Sequence, residues 1–278
     1  MKRLSARDIL ELKGKRKITK TTALDFFTAR AIEQAEIDII GLDGPPTEIY
    51  YKGMQNGIKA KLYELIFCLK AVRRGAPNTF IMVPIPYGYS YLSYEKTSEA
   101  VVKLIKTGAD AVKIEGAGIN VEKIKRIANK GIPCVGTVGL NMEIVIREGF
   151  KSIGKKADEA VETYKNALAL QEAGVIWLEL ECVPYKVTAE ITKRLKVPAI
   201  GVGSGAGCDG QFLHCEDILG MHDRYYPKHC KKYLNFFKDS VTALKRFKEE
   251  VKIGIFPEES NSFEIDDKEF EAFLKRID

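Results

Sequence analysis

The stretch "GADAVKIEGAG", residues 108–118, contains a lysine and a glutamate two residues apart within an apolar run, and glycines follow at once. Lys113 and Glu115 alternate there with Val112 and Ile114. Successive side chains of a strand point to opposite faces, so the charged pair shares one face and the apolar pair shares the other. A strand that buries charge on its inner face and then turns sharply is typical of a barrel whose strand ends carry chemistry.

The rest of the chain repeats a strand–helix rhythm that fits such a barrel. The strand candidates are "KITKTTAL" (17–24), "IDIIGLDG" (37–44), "TFIMVPIP" (79–86), "ADAVKIEG" (109–116), "IPCVGTVGL" (132–140), "VIWLELECVP" (175–184), "VPAIGVGSGAG" (197–207) and "GQFLHCEDILG" (210–220). Nearly all are followed by helical patterns, which implies βαβ units and a parallel sheet. The count predicts an α/β fold, a (β/α)8 TIM barrel. A doubly wound sheet is the alternative, but no G-x-G-x-x-G turn follows the first strand.

We expect one domain over residues 1–278, with a short basic N-terminal segment (1–16) and a C-terminal helical extension (264–278). Phe270, Phe273 and Leu274 recur at helical spacing in that extension, which predicts packing on the barrel or on a neighbouring subunit.

Composition bounds the function class. The 278 residues carry a net charge of +6, spread along the chain rather than concentrated in one block, with 45% hydrophobic residues and six cysteines. No window has the roughly twenty apolar residues of a membrane span, and the cysteines are too sparse for a secreted disulfide scaffold. We therefore expect a cytoplasmic protein with a small-molecule substrate, and neither a nucleic acid nor a membrane as partner.

Acidic residues recur at the ends of several predicted strands. Glu179 and Glu181 share one face of "WLELECVP", Asp43 ends "IDIIGLDG", and Asp209 follows the glycine-rich turn. Carboxylates buried together need a cation, a proton or a lysine beside them, and either Lys113 or a bound metal meets that need. Magnesium prefers such oxygen ligands.

Two other clusters leave their roles open. All three histidines and three of the cysteines fall within residues 208–230, but their spacing matches no closed zinc motif, which favours scattered loop and core residues. The aromatic residues of "YGYSYLSY" (87–94) either line a ligand pocket or stiffen a loop.

Five segments in order resemble the ketopantoate hydroxymethyltransferase family. They are "KAVRRGAPN" (70–78), "GADAVKIEG" (108–116), "LECVP" (180–184), "IGVGSGAGCDGQ" (200–211) and "GIFPEESNSF" (254–263). The resemblance implies a barrel of the phosphoenolpyruvate mutase/isocitrate lyase superfamily, commonly a decamer. It also implies hydroxymethylation of 3-methyl-2-oxobutanoate with a divalent metal (Mg²⁺) and a reduced pterin donor, methylenetetrahydrofolate or an analogue.

The same resemblance implies roles for individual residues. Glu181 takes the position of the general acid/base, Lys113 contacts the anionic substrate, and Glu115 lies in the carboxylate shell of the metal. The metal would act as a Lewis acid on the substrate's keto oxygen and stabilise the enolate.

The chain departs from the family pattern at three places. Gly44 and Pro45 stand where the family has a metal-binding aspartate and a substrate-binding serine, although a one-residue shift brings Asp43 into the aspartate's place. Pro84 stands at a second metal-binding aspartate, and Thr137 replaces a histidine at a substrate position. Glu179, beside the base, is a candidate replacement ligand.

Three hypotheses follow from this pattern. The first is a hydroxymethyltransferase with a rearranged metal site. The second is a divergent paralog that acts on a different substrate or one-carbon carrier. The third is a non-catalytic binding protein on the same barrel, which the buried charges oppose because they are costly without a ligand.

Overall fold

A parallel sheet of eight strands closes into a barrel in the computed structural model, which describes residues 3–43 and 60–277. The strands follow one another around the barrel in chain order. They are β1 (Ile18–Thr22), β2 (Ile39–Gly41), β3 (Phe80–Pro84), β4 (Ala111–Glu115), β5 (Cys134–Gly139), β6 (Trp177–Glu181), β7 (Ala199–Val202) and β8 (Gly210–Phe212). Each lies within one of the predicted strand segments, so the prediction of a (β/α)8 barrel is confirmed.

Helices surround the barrel and connect its strands. Within the described residues they are α1 (Ala6–Glu11), α2 (Phe26–Gln34), α3 (Leu62–Gly75), α4 (Tyr94–Thr107), α5 (Asn120–Ala128), α6 (Met142–Glu148), α7 (Ala157–Glu172), α8 (Tyr185–Arg194), α9 (Cys215–Ile218), α10 (Phe236–Lys252) and α11 (Asp267–Ile277). Polar side chains start several of them: Ser93 accepts a hydrogen bond from the Lys96 amide before α4, and Gly108 ends that helix with a φ of 121°.

Two apolar layers hold the barrel together. The outer layer lies between strands and helices and includes Val112, Ile114, Leu178 and Leu180. The inner layer fills the N-terminal end of the barrel, where Ile9 of α1 packs with a buried set comprising Ile18, Ile39, Phe80, Met82, Ala111, Val135, Trp177, Ile200 and Phe212. The interior is therefore apolar and closed at the end opposite the strand termini that were predicted to carry the chemistry.

The strand register sets the height of each inward side chain. Lys113 is level with Pro84 of β3, and Glu115 is level with Thr137 of β5. Thr137 is in turn level with Glu179 of β6. The predicted alternation on β4 and β6 is confirmed, because Lys113 and Glu179 meet inside the barrel.

The C-terminal segment differs from the barrel in burial. No residue between 231 and 277 is fully buried, and α11 leaves Phe270 and Phe273 45% and 48% exposed. The helix of the predicted extension is present, but its apolar side chains do not pack into the barrel, so contact with a neighbouring subunit stays a prediction. Within residues 3–43 and 60–277, no helix combines the length and apolar character needed to cross a bilayer.

Candidate active site

Four charged side chains meet inside the barrel and form an ion cluster, which we define as Lys20, Asp43, Lys113 and Glu179. Lys113 Nζ lies 2.8 Å from Asp43 Oδ1 and 3.1 Å from Glu179 Oε2. Lys20 Nζ lies 2.6 Å from Glu179 Oε1 and 3.4 Å from Asp43 Oδ2. None of the four side chains is more than 6% exposed. Each ammonium group therefore contacts both carboxylates, and the cluster is electrically balanced.

Local packing fixes the position of Lys20. Its ammonium nitrogen lies 3.5 Å from the centre of the Phe212 ring, within range of a cation–π interaction. A Cβ atom on Gly41 would lie 2.9 Å from Lys20 Cε and 2.8 Å from Asp43 Oδ2, closer than real Cβ atoms approach such groups. Glycine at position 41 is thus what allows a lysine to reach the centre of the barrel.

The pairing keeps the cluster ionised. Burial alone would lower the pKa of Lys113, but the carboxylates of Asp43 and Glu179 raise it well above its ordinary value. Burial would likewise raise the pKa of Asp43 and Glu179, yet Lys113 and Lys20 lower both below the ordinary range. The two lysines and two carboxylates therefore stabilise one another's charges.

Two further carboxyl groups, Glu115 and Glu181, end β4 and β6; we call them the strand-end glutamates. Burial raises the pKa of both, and that of Glu181 reaches about 8, with Lys113 opposing the rise and Glu115 adding to it. The amide of Met142 donates to Glu115 at 3.4 Å. Within the described residues, no hydrogen bond reaches the Glu181 carboxyl. Unlike the ion cluster, Glu181 is poised to take up or release a proton near neutral pH.

The backbone around Glu181 is tightly constrained. Cys182, the next residue, has a φ of 52°, a left-handed conformation that few non-glycine residues adopt. Its amide donates to Val202 O at 2.8 Å and its carbonyl accepts from Ile153 at 3.0 Å. A Cβ on Gly139 would lie only 2.2 Å from the carbonyl oxygen of Glu181. These contacts hold the strand end, and with it the carboxyl group, in one position.

Two buried polar atoms near the ion cluster have no hydrogen-bond partner among the described residues. The Thr137 hydroxyl is buried and has no hydrogen-bond partner among the described residues, and the same is true of His214 Nδ1. Burial lowers the pKa of His214, so its ring is neutral at physiological pH. Buried polar groups are normally paired, so these two atoms are candidates for contact with a ligand.

A cavity of about 410 Å³ opens beside Glu115. Its lining includes Glu115, Asn141, Tyr87 and Tyr91. The two tyrosine rings meet edge to face with centroids 5.9 Å apart. Of the two readings of the aromatic segment 87–94, the structure thus supports a pocket lining for these two tyrosines.

Two of the three predicted metal ligands, Asp43 and Glu179, do not fit a divalent cation. Asp43 and Glu179 have an ammonium group on every carboxylate oxygen, and Pro84 ends β3 without a ligating side chain. Over residues 3–43 and 60–277, no three His, Cys, Asp or Glu side chains are grouped so that they could hold a metal ion. Gly44 and Pro45 lie outside the described residues.

Some acidic and histidine-rich features fall elsewhere. Asp209 lies just before β8, where it pairs with Lys13 at 2.6 Å and accepts from the Ala199 amide, so it belongs to the opposite end of the barrel. In the His/Cys cluster, Asp217 accepts from Cys230 at 3.2 Å and pairs with His222 at 2.9 Å. These contacts hold the loop after β8 together.

Three residues of this site were not predicted from the sequence: Lys20, Gly41 and His214. Lys20 follows Ile18 at the strand period of two, and His214 follows Phe212 in the same way, so extending the inward alternation along β1 and β8 would have found both.

Comparison with known proteins identifies the family. The family model described as ketopantoate hydroxymethyltransferase matches residues 3–259. The chain belongs to this family. It is 41% identical to the 3-methyl-2-oxobutanoate hydroxymethyltransferase of Thermosipho africanus over 94% of this chain and 98% of that protein. It is 35% identical to the enzyme of that name from Nitrosopumilus maritimus over 98% of each chain. The predicted family and the prediction of a transferase enzyme are confirmed.

Solved structures share the fold at low identity. Phosphonopyruvate hydrolase matches with a TM-score of 0.61 at 13% identity, over all of this chain and 97% of that one. 2,3-Dimethylmalate lyase, a phosphoenolpyruvate mutase/isocitrate lyase superfamily member, matches with a TM-score of 0.59 at 15% identity, over 91% and 87% of the two chains. These matches show a common barrel and carry no further argument about chemistry.

Proposed function

We propose that this enzyme adds a hydroxymethyl group to 3-methyl-2-oxobutanoate and takes the one-carbon unit from a reduced pterin, methylenetetrahydrofolate or an analogue. The observation that carries the proposal is Glu181, a constrained strand-end carboxyl group whose pKa is raised to about 8 by burial. A general base is most effective when its pKa lies near the working pH. Family membership supplies the reaction class.

Three residues of the site take part in the first step, each in a different role. Glu181 in its carboxylate form removes the proton from C3 of the 2-oxo acid, and the electron pair of that C–H bond moves to the keto oxygen. Lys113, held as an ammonium by Asp43 and Glu179, binds the anionic substrate and stabilises the charge that develops. The Thr137 hydroxyl, buried and unpartnered within the described residues, is a further donor for the substrate.

The second step forms the new carbon–carbon bond. C3 of the enolate attacks the methylene carbon as the first of its two carbon–nitrogen bonds breaks, and water then displaces the second nitrogen and supplies the hydroxyl oxygen. The two nitrogens of the departing tetrahydropterin take up the proton that came from C3 and the proton that water releases. The cavity beside Glu115 suits such a donor, because Tyr87 and Tyr91 offer aromatic faces and edges to a flat ring and Asn141 offers an amide. We assign this cavity to the pterin.

Proton exchange tests the first step without the pterin. Proton NMR of 3-methyl-2-oxobutanoate in D2O follows loss of the C3 signal, with EDTA or with Mg²⁺, Mn²⁺, Co²⁺ or Zn²⁺ in turn. We expect enzyme-dependent loss that Glu181→Gln abolishes. No exchange under any of these conditions, from protein whose circular dichroism shows it folded, would contradict this substrate.

The pterin assignment has its own experiment. With methylenetetrahydrofolate present, we expect the hydroxymethylated product, and Tyr91→Ala should raise the KM for the pterin while leaving C3 exchange unchanged. Equal effects of this substitution on both reactions would contradict the assignment of the cavity.

A second candidate function is the same chemistry on a different 2-oxo acid. Pro84 and Thr137, which stand at a metal and a substrate position of the family pattern, favour it because they change what the barrel mouth contacts. A panel containing pyruvate, 2-oxobutanoate and 2-oxopentanoate separates the candidates. Faster exchange of one of these than of 3-methyl-2-oxobutanoate would favour the changed substrate, and binding without exchange would favour the non-catalytic hypothesis.

We also propose that the enzyme assembles as a homo-oligomer. The C-terminal helices α10 and α11 expose Leu244, Phe247, Phe270 and Phe273, and a second copy of the chain is the partner the resemblance implies, in a decamer. Sedimentation velocity tests this, and a monomer at micromolar concentration would contradict it. None of the six cysteines is in a disulfide with another described residue, which fits the reducing cytoplasm as the compartment.

A further inference from the structure

Among residues 3–43 and 60–277, the ion cluster offers no unpaired carboxylate oxygen to the divalent cation that the family resemblance implies. Each of the four carboxylate oxygens of Asp43 and Glu179 has an ammonium nitrogen within 2.6–3.4 Å. A cation bound to those oxygens would lie against two positive charges in a buried site, where like charges repel strongly. Both carboxylates are therefore already paired with the two lysines.

Strand β3, which lies beside β4, offers no ligand to a cation at the height of Lys113. Pro84 is level with Lys113 across the β3–β4 register, and a proline side chain cannot coordinate a metal. Glu115, two residues beyond Lys113, accepts a hydrogen bond from the Met142 amide at 3.4 Å. A site for a hard cation would need several oxygen ligands at the height of the cluster.

The contacts around Lys20 are those that a buried ammonium group requires. Its ammonium group is fully buried, paired with Glu179 at 2.6 Å and placed over the Phe212 ring at 3.5 Å. The absence of a side chain at Gly41 makes the space for it. A buried ammonium is costly unless carboxylates pair with it, and Glu179 and Asp43 do so here.

We propose that the ammonium group of Lys20 replaces the divalent cation, so that this site stabilises an enolate without a metal. The inference rests on the proposed function for the identity of that enolate. An ammonium has three N–H donors, and contacts to Asp43 and Glu179 occupy two of them on each lysine. Lys113 binds the substrate with its remaining donor, and Lys20 acts through the shared carboxylates. It balances their charge so that a further negative charge is tolerated beside them.

Manganese binding tests the proposal directly. Purified enzyme is treated with EDTA, freed of it, and titrated with Mn²⁺ while EPR records the free ion. We expect no stoichiometric binding to the native enzyme. Lys20→Met frees Glu179 Oε1 and Asp43 Oδ2 from their ammonium partner, so this variant should bind Mn²⁺ and gain melting temperature with it. Lys15→Met, the same change at an exposed lysine, should bind none.

Activity gives the second readout. EDTA should leave C3 exchange by the native enzyme unchanged. In metal-free buffer, Lys20→Met should lower the exchange rate constant at saturating substrate by about 100-fold, and Mn²⁺ should restore part of it. A structural role for Lys20 would give neither the acquired metal binding nor the rescue.

Several results would overturn the proposal. They are stoichiometric Mn²⁺ binding by the native enzyme, loss of exchange on EDTA treatment that Mg²⁺ reverses, and a folded Lys20→Met variant that binds no Mn²⁺. Borohydride trapping of a substrate adduct on Lys20 would also overturn it, because a Schiff base requires a neutral amine. If Lys20→Met does not fold, the Mn²⁺ titration of the native enzyme still tests the proposal. That titration needs no turnover, so it remains valid even if the enzyme acts on no 2-oxo acid.

Discussion

Lys113 and Glu179 of the ion cluster lie two residues before the strand-end glutamates on β4 and β6, yet the two pairs behave in opposite ways. Lys113 contacts the carboxylates of Asp43 and Glu179, and Glu179 contacts the ammonium groups of Lys113 and Lys20, so both groups stay charged. Glu115 and Glu181, two residues further along β4 and β6, are partly buried without a direct cationic partner among the described residues, and the pKa of each is raised. Two residues along β6 therefore separate a carboxylate that lysines keep charged from Glu181, whose pKa suits proton transfer.

Removing the Glu181 carboxyl should give the largest effect. Glu181→Gln keeps the shape but cannot accept a proton, so the rate of C3 exchange should fall by about 10²–10⁴-fold. Because the amide removes a carboxyl group whose ionised form is disfavoured by burial, the variant should melt no lower than the native enzyme. Glu172→Gln on exposed α7 serves as the control. A smaller loss than tenfold, or one matched by the control, would assign the base elsewhere.

Breaking the ion cluster should act on stability instead. Glu179→Gln removes one carboxylate and leaves Lys20 and Lys113 sharing Asp43, so the free energy of unfolding should fall by about 3–5 kcal/mol. Urea denaturation measures it. Glu190→Gln breaks an exposed ion pair with Lys193 and Arg194 and should leave that free energy unchanged. Equal effects of the two substitutions would show that burial does not distinguish the pairs.

The pH dependence should report Glu181 rather than the cluster. The base acts when deprotonated and its pKa is raised to about 8, so C3 exchange should increase by about tenfold between pH 7 and pH 9. The folded state holds this proton more tightly than the unfolded chain does. The resulting contribution to stability is present below the ordinary glutamate pKa and is lost as the pH rises through 8. Residual exchange by Glu181→Gln should not show the increase, and a flat native profile would contradict the assignment.

Thr137 should give the smallest effect. Thr137→Val removes a buried hydroxyl that has no partner among the described residues, so the free energy of unfolding should rise by about 1 kcal/mol while the KM for the 2-oxo acid increases. Thr188→Val is the matched comparison, because that hydroxyl donates to Ser204 O at 2.6 Å and its loss should destabilise. The reverse order of stability would show that Thr137 is paired in solution.

The sequence predicted the barrel and the inward direction of Lys113, Glu115, Glu179 and Glu181 because strand alternation is a local property. It did not predict their partners. Lys113 meets Asp43 across 70 positions of the chain, and Lys20 meets Glu179 across 159. In "KITKTTAL", Lys20 lies among threonines, and only the strand period that it shares with Ile18 marks it as an inward position. Only the closed barrel brings it to the same carboxylates as Lys113, and with them it removes the expected fit for a metal.

Gly41 also constrains the order in which such a site can arise. With any side chain at position 41, the ends of Lys20 and Asp43 would have to shift, since the added Cβ would lie 2.9 Å from Lys20 Cε and 2.8 Å from Asp43 Oδ2. An ancestor that acquired the lysine first would have carried this crowding in its core, whereas one that acquired the glycine first would have carried only a small void. The favourable mutational path therefore runs through glycine.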